Sequence, residues 1–301
     1  MISDQFSAKI MRYLYSIRGF GYLPIAENRR RKGVKAIANY PKEERYTIIN
    51  DFWGNLKFRI DRATYMGSNI YWKGHHQRAD IMFLKSVLKP EMVFVDMGAN
   101  QGEFTVVLAA LLTQGTVISF EPVPSIREDL EKNIALNNLT NVLVYGCGVS
   151  DTEGSLPIFT SEDTERQQSI HEGLGTLYQT DYRSKQIGVI QLRRFDDVFN
   201  ETNLKRLDAI KIDIEGAELF ALKGALNSIK RYKPQHILIE LNQETSRAAG
   251  YEVREVIEFL ENLGYRWHEL SKHGKLLPAR PTSELEKAAA WGLDAVAILE
   301  N

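Results

Sequence analysis

Three short stretches carry the residues best suited to chemistry. The first is Asp96-Met97-Gly98-Ala99-Asn100-Gln101-Gly102, where an apolar run ends in an acid and yields to a loop bracketed by two glycines. Glycine lets the backbone approach a ligand closely, and the helix predicted to start at Glu103 offers unpaired N–H groups to a polar or anionic ligand. The spacing misses the G-x-G-x-x-G of dinucleotide-binding loops and lacks the Lys-Ser/Thr of a phosphate loop. The second stretch is Glu121-Pro122 at the end of the next predicted strand. One carboxylate there can accept hydrogen bonds from both hydroxyls of a ribose, while Pro122 withholds its N–H and ends the strand. The third is Lys211, Asp213 and Glu215, which alternate with Ile210, Ile212 and Ile214 and so share one strand face. Burying charges without partners is costly, so this face is expected to line the crevice where open α/β sheets bind ligands. A self-satisfied ion cluster supporting the loop is the alternative. Asp213 or Glu215 is the favoured general base, with Glu240 as neighbour and Lys211 as electrostatic partner; His171, in a polar stretch, is the rival. Asp213, Glu215 and Glu240 could also offer hard oxygen ligands to a divalent metal.

The elements that must position these residues follow from periodicity. From Met92 onward strands and helices alternate, which predicts an α/β fold with a parallel sheet covered by helices on both faces. The expected strands are an opening apolar run from Val93 that ends in the acid Asp96, then Thr116–Phe120, Val142–Tyr145, Asp208–Glu215, His236–Leu241, Tyr265–Leu270 and Ala295–Leu299, the last two paired. Expected helices include Gln77–Leu88, Glu103–Leu112, Ser125–Asn137 and Glu252–Leu263. Residues 154–192 interrupt the alternation with a polar middle holding Ser169, His171, Gly173, Gly175 and Thr176, read as a substrate loop or a mobile surface. Upstream, brief strands are expected at Tyr46–Ile49, Leu56–Ile60 and Asn69–Trp72, separated by Gly54 and Gly67, and an amphipathic helix at Ser7–Ile17 carrying Ile10, Met11, Leu14 and Ile17. The division is an N-terminal extension, 1–40, and one domain, 41–301, of which 41–90 is a small β element and helix.

Composition narrows the class. Hydrophobic residues make up 44% and charged residues 26% of the 301, as in ordinary soluble domains. No apolar run is long enough to span a membrane and no signal-peptide core is evident, so a cytoplasmic location is expected. A single cysteine, Cys147, leaves no internal disulfide and no cysteine cluster for zinc. The net charge of −1 conceals an asymmetry: residues 1–90 hold 17 Lys+Arg against 7 Asp+Glu. The run Arg29-Arg30-Arg31-Lys32, expected on a loop or helix end, is read either as a solvated face or as attraction for an anionic substrate. Nucleic acid is disfavoured because no aromatic-basic RNA-binding motif is present. The N-terminal helix is expected to pack or self-associate, which leaves a homodimer open.

Three quoted stretches, together with Phe195-Asp196-Asp197 and Gly67-Ser68-Asn69-Ile70-Tyr71-Trp72-Lys73-Gly74, resemble the FkbM family of S-adenosylmethionine-dependent methyltransferases. The most specific piece is Asp208-Ala209-Ile210-Lys211-Ile212-Asp213-Ile214-Glu215-Gly216-Ala217-Glu218, and the resemblance runs from about Gly67 to about Asn242. It implies a Rossmann-like class I methyltransferase fold, with a seven-stranded, mostly parallel sheet whose last strand is antiparallel. It also implies O-methylation of a hydroxyl on a sugar, glycan or polyketide-type acceptor. S-adenosylmethionine would then be held by Asp96, Gly98, Ala99, Asn100, Gln101, Gly102, Glu121, Pro122 and Asp213. The chain departs from the family at His75-His76-Gln77, where an acid is common, and at Gly148-Val149-Ser150-Asp151. The competing readings are a non-catalytic cofactor-fold scaffold and a nucleotide-dependent oxidoreductase, the latter disfavoured by the glycine spacing.

Overall fold

The computed structural model describes residues 4–16, 24–37, 40–160, 176–178 and 184–300. Its strands, in chain order, are β1 (Tyr46–Phe52), β2 (Leu56–Asp61), β3 (Val93–Met97), β4 (Thr116–Phe120), β5 (Val142–Tyr145), β6 (Gly148–Ser150), β7 (Gly154–Thr160), β8 (Lys185–Arg194), β9 (Ala209–Ile212), β10 (His236–Leu241), β11 (Tyr265–Leu270), β12 (Leu276–Ala279) and β13 (Leu293–Leu299). Eight form one sheet in the order β12-β11-β13-β10-β9-β3-β4-β5. The run from β10 through β9, β3 and β4 to β5 is parallel, and β13 lies antiparallel between β10 and β11. The expected α/β architecture is therefore present, with eight strands where seven were expected. The extra strand arises because the chain turns at Gly274, with positive φ, and lays the wholly exposed Leu276–Ala279 along the edge of β11.

Every residue of β3 and of β9 is buried, as the covering of both sheet faces requires. On one face Val95, Met97, Ile210, Ile212 and Ile239 pack against Leu219, Leu222, Val256 and Ile257. On the other, Phe94, Val117 and Leu238 pack with Phe104, Leu108, Ile81 and Leu84, and the β1–β2 hairpin adds Phe58 and Ile60. The strand order reverses at β3, which opens the crevice used by doubly wound sheets for ligands. Beside that crevice β7 and β8, which span the expected insertion, form with β6 a separate three-stranded sheet in the order β6-β8-β7.

Several local expectations are corrected by tertiary context. Asn69–Trp72 is not a strand but part of the helix Tyr65–Lys73, capped by Thr64, whose Oγ1 accepts the Gly67 N–H at 3.0 Å. Gly67 sits inside that helix because a Cβ there would stand 2.1 Å from the Asp61 carbonyl oxygen. The N-terminal helix, Asp4–Ser16, buries Ser7, Ala8, Arg12 and Tyr15 and leaves Ile10 exposed, so the expected apolar face is rotated; Ile17 lies outside the described residues. The cause is Arg12, whose guanidinium pairs with Asp51 and donates to the Tyr71 carbonyl at 2.6 Å. Arg29 to Lys32 lie within the helix Pro24–Ile37 rather than at its end. There Arg30 bonds Glu27 and holds its carboxyl down at about 2, with help from Lys73 and Arg31. Finally, β9 stops at Ile212, so Asp213 and Glu215 occupy the loop beyond it. Among the described residues, no helix is long and apolar enough to cross a membrane.

Candidate functional site

At the carboxyl ends of β3, β4 and β9 a cleft encloses about 1250 Å³, solvent at its mouth included. Its floor is the backbone of Gly98, Ala99, Asn100 and Gln101, with Glu121 and Pro122 on one side and Lys211, Asp213 and Glu215 on the other. Asp96, Gly102 and Glu240 are not part of the lining. The loop is tied to the end of β4 by the Gly98 and Ala99 N–H groups, both donating to the Phe120 carbonyl. Gly98, with φ +84, is needed for a close approach of protein to protein, since a Cβ would lie 2.0 Å from the Asp213 carbonyl oxygen. The two informative strand ends are therefore in backbone contact.

Each acid has a distinct setting. Asp96 is fully buried beneath the loop, accepts the Thr105 hydroxyl at 2.7 Å and faces the Lys211 ammonium at 3.7 Å. Lys211 also reaches Asp213 at 3.3 Å and donates to the Gly98 carbonyl at 2.9 Å. Burial pulls the lysine toward neutrality, but Asp213 and Asp96 outweigh it and hold the ammonium above the usual lysine range. Lys211 is thus a fixed cation between two carboxylates, and a proton acceptor must be sought elsewhere. Glu121 accepts the Asn100 N–H at 3.0 Å and the Val123 N–H at 2.9 Å, while burial pushes its carboxyl up to about 7. Glu218 accepts the N–H groups of Ile214 and Gly216, clamping the turn in which Glu215 takes a positive φ of 56°. Thr176 closes over the same turn, donating its hydroxyl to the Glu215 carbonyl at 2.7 Å.

Oxygens of Asp213, Glu215 and Glu240 lie within 4.8 Å of one another, so the three carboxylates named as possible hard ligands do converge. Burial, reinforced by repulsion from Asp213, Glu215 and Asp294, raises the Glu240 carboxyl above the usual range. Asp294, its partner across β10 and β13, is raised to about 6 by burial and by Asp213. His171, with Ser169, Gly173 and Gly175, lies outside the described residues. Asp196, from the Phe195-Asp196-Asp197 piece, stands away from the cleft and accepts the Asn227 and Ser228 N–H groups at the start of the helix Leu226–Tyr232.

Two further walls complete the cleft, one of them drawing on the 154–192 insertion read as a substrate loop or a mobile surface. The first comprises Thr64, Tyr65, Met66, His76 and Gln77. Glu103 fixes it to the glycine loop by accepting the His76 N–H at 2.8 Å and the Gln77 N–H at 3.1 Å, and burial lifts its own carboxyl to about 7. Gln77 also reaches Asp213 at 3.4 Å, and burial lowers the His76 imidazole to about 4, leaving it neutral. The departure at His75-His76-Gln77 was the available signal. The second wall is apolar: Phe120, Val123, Ile126, Cys147 and Val149, closed by Ile158 and Ile190 from the small sheet and by Leu177. No periodicity connects residues so far apart in sequence.

Residues 96–267 match the model of a family described as "Methyltransferase FkbM domain". "Methyltransferase 1" of Beauveria bassiana is 28% identical over 145 residues, covering 43% of this chain and 57% of that protein. "Methyltransferase sdnD" of Sordaria araneosa is 29% identical over 152 residues, covering 43% and 59%. A third relative, "2-O-methyltransferase NoeI" of Sinorhizobium fredii, is 24% identical over 180 residues, covering 57% and 72%. The chain thus spans less than two thirds of the first two relatives' length.

Proposed function

The chain belongs to the FkbM methyltransferase family, and from that premise we propose that it is an S-adenosylmethionine-dependent O-methyltransferase acting on a hydroxyl of a sugar, glycan or polyketide-type acceptor. The observation that carries this reading is one cleft in which the Gly98–Gln101 backbone and Glu121 face Asp213 and Glu215 across the point where the strand order reverses. The residues suit the donor. Glu121 has oxygens for a ribose, the apolar wall around Val149 and Ile158 suits a flat base, and the loop backbone with Asp213 suits the amino-acid end. Asp96 and Gly102 act from behind, through Lys211 and through the packing of Leu130. The name of one relative, a 2-O-methyltransferase, supports oxygen as the accepting atom.

When bound, the donor supplies an electrophilic methyl group on a positive sulfur. The protein's part is to hold the acceptor oxygen in line with it and to remove the hydroxyl proton. Asp213 or Glu215 takes that proton, with Lys211 stabilising the carboxylate and Glu240, of raised pKa, as a neighbour able to share it. Residues 41–301 form the methyltransferase domain, 1–40 an extension whose described helices, Asp4–Ser16 and Pro24–Ile37, pack on it, and 154–192 the acceptor-side insertion. Two measurements test the reading. Calorimetry with S-adenosylhomocysteine should show Glu121→Ala binding far more weakly than the wild type, and unchanged affinity would remove Glu121 from the ribose. Asp213→Asn or Glu215→Gln should lose turnover while retaining that binding; a fully active variant is not missing the base.

A further inference from the structure

The glycine loop has no backbone N–H to spare. Every N–H from Gly98 to Gly102 already meets an acceptor within the protein: Gly98 and Ala99 donate to the Phe120 carbonyl, Asn100 to Glu121, Gln101 to the Asn100 side chain and Gly102 to the Ala99 carbonyl. Lys211, the one Lys or Arg among the described residues lining the cleft, is held by Asp96, Asp213 and the Gly98 carbonyl. The helix Glu103–Leu111 has no side-chain cap, but the residue that opens it brings a carboxylate of its own. S-adenosylmethionine ends in an amino acid whose carboxylate needs donors, and burying it without them is costly. The loop lets that end approach closely, yet neither the loop nor the lysine supplies the donors.

The facing wall holds one. Asn69 is buried, and its Nδ2 donates to the Tyr65 carbonyl at 3.1 Å, which fixes the amide's orientation because a carbonyl only accepts. The same Nδ2 stands 3.4 Å from His76 Nδ1. That ring nitrogen is therefore the acceptor, and the proton of the neutral imidazole sits on Nε2. Burial holds the imidazole down at about 4, with Lys73, Lys211 and Arg30 pushing the same way against Asp213, so the ring stays neutral near pH 7. Nε2 has no hydrogen-bond partner among the described residues and, unlike both ring nitrogens of His75, is not sealed from solvent. The space that His76 lines is the cleft. Glu103, at the start of the helix that follows the glycine loop, pins this wall by accepting the His76 and Gln77 N–H groups, and Gln77 Nε2 lies 3.4 Å from Asp213. The imidazole thus stands at the amino-acid end of the cleft, on a fixed backbone and in a fixed tautomer.

We infer that His76, through Nε2–H, recognises the carboxylate of the donor's amino-acid end. At His75-His76-Gln77 the chain departs from its family, so the contact is this chain's own solution. The inference rests on the methyltransferase reading and adds to it the residue that selects a donor by its carboxylate.

Two ligands separate this contact from a general effect on the wall: S-adenosylhomocysteine and its decarboxylated analogue, which keeps the adenosine, the thioether and the amine. In calorimetry on the full chain, the wild type should bind the first about tenfold or more tighter than the second. His76→Leu should lose most of that preference, its affinity for S-adenosylhomocysteine falling about tenfold while its affinity for the analogue changes less than about twofold. His76→Gln, which returns an N–H donor to the neighbourhood of Nε2, should recover most of the preference. A wild type that does not distinguish the two ligands overturns the proposal, as does a His76→Leu variant that keeps the preference or a His76→Gln variant no better than His76→Leu. Equal weakening of both ligands by His76→Leu also overturns it, because a wall residue that only supports the fold would act that way. Failure of the wild type to bind either ligand would instead overturn the methyltransferase reading.

Discussion

Glu121 concentrates the chemistry expected at the residue scale. Its carboxyl, raised to about 7 by burial, is partly protonated near neutrality, and in the proposed role only the ionised form keeps a spare lone pair on each oxygen, beside the Asn100 and Val123 N–H bonds, for the ribose hydroxyls. Donor affinity should therefore rise as pH increases through about 7 and flatten above it. Calorimetric titrations with S-adenosylhomocysteine from about pH 6 to 8 check this, and Glu121→Gln should abolish the slope as well as weakening binding. The position of Glu121 was legible one strand after the glycine loop, because strand ends in such sheets converge on the crevice. Its raised pKa was not legible, since that depends on tertiary burial, which outweighs the opposing pull of the Val123 and Asn100 N–H bonds. The same holds for Asp96: its identity is plain in the motif, but that it meets Lys211 and Thr105 instead of the cleft comes from packing.

At the scale of elements, the contact between the end of β3 and the segment after β9 is the most sensitive joint. Gly98→Ala would combine a left-handed backbone with a Cβ 2.0 Å from the Asp213 carbonyl. It should lower stability by about 3 kcal/mol or more and weaken donor binding together with it. Gly54→Ala is the control: φ is +110 but nothing lies within 4 Å, so denaturant unfolding should show a cost of only about 1–2 kcal/mol and normal binding. Equal costs would mean that backbone conformation, not the approach to Asp213, makes Gly98 necessary. Strands β4, β5, β10 and β11 coincide with their expected bounds, the first three because near-continuous apolar runs mark the sheet interior and β11, an antiparallel strand, because Tyr265 and Trp267 alternate with Arg266 and His268. The helix Tyr65–Lys73 was missed because Ile70, Tyr71 and Trp72 favour strands locally. Its capping by Thr64 and its burial against the N-terminal helix override that preference.

For the whole molecule, the N-terminal helices are expected to behave as part of the fold. Arg12→Ala would leave the Tyr71 carbonyl without its 2.6 Å donor and should cost about 1–3 kcal/mol in denaturant unfolding. An unchanged midpoint would make the helix an appendage. The convergence of Asp213, Glu215 and Glu240 also makes a prediction about metal. If these carboxylates hold a divalent cation that activates the acceptor, exhaustive chelation should abolish methyl transfer and magnesium or manganese restore it. Activity surviving chelation assigns the cluster to proton handling alone.

The alternating α/β order, the glycine loop, the acid at the next strand end and the charged stretch from Lys211 to Glu215 were legible in the sequence. Each is encoded within a few consecutive residues, where periodicity and residue type act directly. Only the tertiary structure decided which charges see the cleft, that Lys211 is locked between Asp96 and Asp213, and that Glu240 meets Asp213 and Glu215. It also decided that Thr64 to Gln77 and Cys147 to Ile190 supply the remaining walls. Those outcomes depend on burial and on contacts between residues far apart in sequence, and no local pattern encodes either.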